Sequence, residues 1–157
     1  MFLQRLKDSF LSGWREQLRN SSKPHTYSKI KKHFGMEKYL TSIHNKMFAT
    51  SITKLTISAH CLEIEKGRHH NTPATQRLCP TCNENIENEF HFVMNCPTYS
   101  KERDAMLQII ATKTNFTLSG TQSDIFHVLL SCPTPISIYI GQFLHKSFQK
   151  RDRITHT

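Results

Sequence analysis

Apolar residues recur at steps of three and four through the first twenty positions. Leu3, Leu6, Phe10, Trp14 and Leu18 share one face of a predicted amphipathic helix. The pattern breaks at "NSSKP", where serines and Pro24 interrupt it. After Gly35, the series Met36, Tyr39, Leu40, Ile43 and Met47 predicts a second helix. Phe48, Ile52, Leu55, Ala59 and Leu62 predict a third, running on into "LEIEKGRHHNTP". That third pattern is weakened by its β-branched residues, among them Thr53, Thr56 and Ile57. Gly67 and Pro73 then bracket a basic loop.

The second half repeats the helical period. Tyr99, Arg103, Met106, Leu107 and Ile110 form a stripe, with Pro97 suited to the first helical position. Ser123 is a plausible N-cap for "DIFHVLL". Thr134 and Pro135 open the last helix, whose apolar face is Ile136, Tyr139, Ile140, Phe143, Leu144 and Phe148. Lys146, Lys150 and Arg151 near its end suit the helix dipole.

Between the halves lies "RLCPTCNENIENEFHFVMNCPTY", which follows no helical period throughout. It holds Cys79, Cys82, His91 and Cys96 in the pattern Cys-x2-Cys-x8-His-x4-Cys. Two intervening residues let the Pro80-Thr81 turn aim both thiolates at one ion. Three thiolates and an imidazole complete a closed tetrahedral set, the structural kind of Zn2+ site. His91 and Cys96, however, are about 140° apart around an α-helix. A helix carrying His91 must therefore end before Cys96, where Pro97 enforces a break. Cys61 and Cys132 fit no ligand spacing and are expected in the core. Phe90, Phe92 and Tyr99 are expected to pack around the site.

The predicted fold is mostly α, a helical domain with a small zinc-stapled knuckle insert. Residues 1–78 form a basic helical arm and connecting loop, 79–96 the knuckle, and 97–157 C-terminal helices packing on the same core. Of the 157 residues, 21 are Lys or Arg and 12 are Asp or Glu, a net charge of +9. Such a surplus points to a polyanionic partner, nucleic acid above all. The charge is uneven. Residues 1–35 carry eight Lys/Arg against Asp8 and Glu16, while 79–96 carry Glu84, Glu87 and Glu89 with no Lys or Arg. Phosphate is therefore expected at the flanks and repelled by the knuckle. An odd cysteine count with ligand spacing favours a reducing compartment, hence an intracellular protein, nuclear or cytoplasmic. No stretch is apolar enough to read as a membrane span or signal peptide.

"KLTISAHCLEIEKGR" followed by "RLCPTCNENIENEFHFVMNCPTYSKER" resembles the C-terminal region of non-LTR retrotransposon reverse transcriptases. The specific part runs from Lys54 to Arg103, and the flanks look similar as well. The resemblance implies that Cys79, Cys82, His91 and Cys96 are the ligands of a Cys-Cys-His-Cys zinc knuckle. It also implies engagement of RNA or DNA. No Asp-Asp polymerase motif and no endonuclease acidic cluster is present, so the chain reads as a non-catalytic module, detached or domesticated.

Three functions compete. The first is nucleic-acid binding through Lys29, Lys31, Lys32, Lys54, Arg68, His69, His70 and Arg77, although Arg68 has Glu63 and Glu65 as rival partners. The second is a protein-interaction or scaffolding domain anchored by Leu3, Leu6, Phe10 and Trp14. The third, a nuclease using His69, His70 and Asn71, lacks a carboxylate pair.

Overall fold

A computed structural model describes residues 2–20, 28, 30–31 and 34–156. The first apolar stripe forms α1 (Phe2–Asn20), which ends where the serines begin. Its stripe meets little of the body. Phe10 and Trp14 touch Phe34 edge-on, with ring centroids 5.2 and 5.4 Å apart. Leu3, Leu6 and Phe10 remain 74%, 52% and 60% exposed.

The second predicted helix is cut to one turn, α2 (Tyr39–Ser42). Ile43 is already extended, and Asn45 starts a new helix, α3 (Lys46–Thr56), by accepting a hydrogen bond from Met47 N at 3.0 Å. Asn45 is thus an N-cap in the middle of an apolar period. The third predicted helix divides as well. Ser58 takes a positive φ of 56°, and the chain restarts as α4 (Glu63–His69).

After a 3-10 turn at Ala74–Gln76, the knuckle segment contributes a single antiparallel bridge, Leu78 to Ile86. A π-turn (His91–Asn95) and a 3-10 turn (Pro97–Tyr99) lead into α5 (Ser100–Lys113). Next is α6 (Gln122–Ser131). Its cap is Thr121, not Ser123: Thr121 and Asp124 bond each other's backbone N–H in a capping box. The last helix, α7 (Ser137–Thr155), begins after a turn at Thr134 and has no side-chain cap.

The helix α7 is the spine. α3 packs along it so closely that a Cβ on Gly141 would stand 2.7 Å from Phe48 Cβ and 3.1 Å from Phe48 O. α5 lies against another side of α7. Ile52 and Leu55 of α3, Leu62, Phe92, Tyr99 and Leu144 are buried together. Phe92 stacks on Phe148 of α7 at 4.9 Å and meets Tyr99 at 4.7 Å, so the aromatics of the cysteine segment serve as packing. No described helix is long and apolar enough to cross a membrane.

Candidate metal centre

The first two cysteines are set by a closed turn. Cys79 N donates to Asn85 O at 2.8 Å, and Asn83 N donates to Cys79 O at 2.8 Å. Asn83 sits at φ 58°, a left-handed conformation that asparagine tolerates better than most residues.

His91 and Cys96 are set by the π-turn. Asn88 Oδ1 accepts from His91 N at 2.8 Å, and Cys96 N donates to His91 O at 2.7 Å, an i to i+5 bond. Widening the turn carries the fifth residue back over the first. The helix ends before Cys96, as its spacing requires, but the π-turn is what brings both donors to one side. Arg103 closes the arrangement from α5, donating to Val93 O and Cys96 O at 2.7 Å each.

One donor atom from each of Cys79, Cys82, His91 and Cys96 lies within 4.8 Å of the others. Cys79 Sγ and Cys96 Sγ are 3.9 Å apart, and Cys82 Sγ is 3.4 Å from His91 Nε2. A tetrahedral ion with ordinary zinc bond lengths needs edges of about 3.8 Å between sulfurs and about 3.5 Å from sulfur to nitrogen. The donors fit one ion. His91 Nδ1 has no hydrogen-bond partner among the described residues, so this imidazole lacks the second bond that usually orients a metal-bound histidine.

The hydrogen bond between the two buried sulfurs pushes their proton affinities apart. Hydrogen bonding to Cys96, reinforced by burial, pushes the Cys79 thiol up to about 12. The same bond lowers Cys96 to about 6 against the opposing effect of burial. The Thr81 hydroxyl lies 3.1 Å from Cys79 Sγ and 3.6 Å from Cys96 Sγ, within hydrogen-bonding reach of either sulfur. A divalent ion held by Cys79, Cys82, His91 and Cys96 would take the place of that shared proton and stabilise the sulfurs as thiolates.

Compared with protein-family models, curated proteins and solved structures, this chain matches none. Geometry and chemistry therefore carry the functional reading.

The expected picture of an acidic knuckle needs correction. Only Glu84 of its three glutamates is exposed. Glu89 accepts from His60 Nε2 at 3.1 Å and Ser58 Oγ at 3.3 Å, and Glu87 is fully buried against Arg151. Arg151, expected at a helix end for its dipole, is an internal ion-pair partner. Glu87 Oε1 lies 3.9 Å from Cys79 Sγ, next to the centre itself.

The candidate nucleic-acid contacts differ in how far the fold engages them. Lys29 and Lys32 lie outside the described residues. Lys31 pairs with Glu37 and donates to Gly35 O at 2.7 Å. Arg68 pairs with Glu65, one of its two rival partners. Arg77 turns inward, Nε to Thr72 O at 2.9 Å and Nη1 to Ile64 O at 2.7 Å. Lys54, His69 and His70 are exposed. The loop thus uses Arg77 to hold its own shape.

Glu87, Arg103 and Arg151 carry roles that no local pattern announces. Each depends on a residue brought near by folding, as Arg151 does on Glu87, 64 positions away, and on Glu63, 88 positions away.

Proposed function

We propose that the chain is a zinc-stapled nucleic-acid-binding module, non-catalytic on its own, descended from the C-terminal region of a retrotransposon reverse transcriptase. The observation carrying it is the Cys79, Cys82, His91 and Cys96 donor set, compact enough for one ion. Three thiolates select a thiophilic ion, and Zn2+ takes the Cys3His set in structural sites. With four protein donors the centre has no open position for a reacting water, so its role is to hold the knuckle.

The charge supports the partner. A net +9 with exposed Lys54, His69 and His70 suits a phosphate backbone. The test is a salt titration of RNA and duplex DNA binding by zinc-loaded protein. Counterion release requires affinity to fall with salt, by a log–log slope of about 0.9 per phosphate contact on duplex DNA. Binding that is absent at low salt, or independent of salt, sinks the reading.

A second reading, a zinc-stabilised protein-interaction domain, is favoured by one observation. Leu3, Leu6 and Phe10 on one face of α1 are each more than half exposed. Substituting all three by Ser should leave nucleic-acid binding intact on the first reading, and should abolish partner capture on the second.

A further inference from the structure

The fold consumes many of the chain's cations. Arg77 and Arg103 bond backbone carbonyls, Arg151 pairs with Glu87, and Lys150 pairs with Glu102. Against that background, Lys101 on α5 and Lys146 on α7 stand out. Both are exposed, neither makes an ion pair or hydrogen bond among the described residues, and both line one groove between the two helices. The groove holds about 270 Å³, and its walls include the half-buried Tyr139 ring, Gln142 and Ile109. Its single carboxylate, Glu102, is neutralised by Lys150 at 3.0 and 3.2 Å.

We propose that this groove takes a single-stranded nucleic acid, with phosphates on Lys101 and Lys146 and one base against Tyr139. The inference rests on the nucleic-acid reading above and assigns it a surface outside the 67–77 loop. Three features select the ligand. Two exposed ammonium groups lining one groove supply positive charge for phosphates. One wall includes an aromatic side chain, the kind of group on which any base can stack. The volume lies just under the range of about 300–1,000 Å³ typical of whole-ligand pockets, which suits one flat base. Gln142 supplies both a donor and an acceptor for a base edge. A duplex keeps its bases stacked inside and cannot place one here.

The test uses the full zinc-loaded chain and a short fluorescent oligouridine, followed by anisotropy across salt concentrations. Failure of the parent protein to bind any nucleic acid overturns the broader reading and this one together. If the parent binds, Lys101→Gln with Lys146→Gln should weaken binding by about tenfold and reduce the log–log salt slope by about 1.4, or about 0.7 per lost single-strand contact. Tyr139→Ala should weaken it by about five- to a hundredfold, and Tyr139→Phe should restore it. Among the described residues the lysine pair makes no hydrogen bond or ion pair, so its melting curve should stay close to the parent's and keep the test valid if Tyr139→Ala unfolds. Unchanged affinity and slope in the lysine pair, with the parent still binding, would overturn the groove alone. Duplex DNA bound equally well with the same lysine dependence would also overturn it. So would displacement of the oligouridine by polyglutamate at equal charge concentration, which would mark the groove as a site for acidic peptides.

Discussion

Arg151 and Glu87, 64 residues apart, meet through two parallel hydrogen bonds of 2.7 Å with both side chains fully buried. Glu87 also accepts from Glu63 N at 2.7 Å, and Glu63 itself reaches Arg151 Nη2 at 3.2 Å. One carboxylate thereby ties the last helix, the start of α4 and the metal-binding loop. Burial alone would make the guanidinium easier to deprotonate, but bonding to Glu87 reverses that and holds its pKa above the ordinary arginine value.

Removing one partner of such a pair leaves an uncompensated buried charge. Arg151→Met should cost about 3–5 kcal/mol in urea unfolding. Adding Glu87→Gln to that variant should recover much of the loss, because the stranded carboxylate is gone. A single-variant loss under about 1 kcal/mol would mean that the pair is solvated in solution.

Metal removal should be severe. Structural zinc contributes about 10–16 kcal/mol of apparent binding energy in small finger peptides, comparable to a domain's whole stability. Cys79→Ser and Cys96→Ser should lose the ion and broaden thermal unfolding. Elemental analysis should find one zinc per chain, and cobalt substitution should give the absorption of a tetrahedral thiolate site. A well-folded protein without metal contradicts this.

Gly67 and Arg77 form a second testable couple. A Cβ at Gly67 would stand 2.6–2.7 Å from Cγ, Cδ and Nε of Arg77. Gly67→Ala should therefore dislodge Arg77 from Thr72 O and Ile64 O and cost about 1–3 kcal/mol. On an Arg77→Ala background the same change should be nearly silent. Additive losses in that double-mutant cycle would show that the clash lies elsewhere.

Glu102 gives a pH dependence. Burial by itself would raise its carboxyl, but hydrogen bonding and charge from Lys150 outweigh it and hold the group below its ordinary 4.5. The folded state therefore binds fewer protons here than the unfolded chain. The stabilisation is complete above that ordinary value and is lost as pH falls through the depressed one. Lys150→Gln should lower the melting temperature more at about pH 7 than at about pH 3. An equal loss at both values would assign the effect to the Lys150 bond with Thr98 O, 2.7 Å long.

The four metal donors were legible in the sequence because they fall within eighteen positions and their spacing reports local turns. The mostly helical class was legible too, since the three-and-four period persists wherever one face is buried. Boundaries were less so. Asn45 caps α3 inside an unbroken apolar period, and Thr121 outcompetes Ser123 because Asp124 completes its box. The use of each charge was decided by tertiary structure alone. As letters, Arg151 and Lys146 are two basic residues on one helix. One is fully buried against Glu87, the other lies open on a groove. Ligand spacing and amphipathic period are properties of the nearby chain. Desolvation and ion pairing depend on which distant segments the core brings together, so only the folded chain determines which cations are buried in ion pairs and which stay exposed.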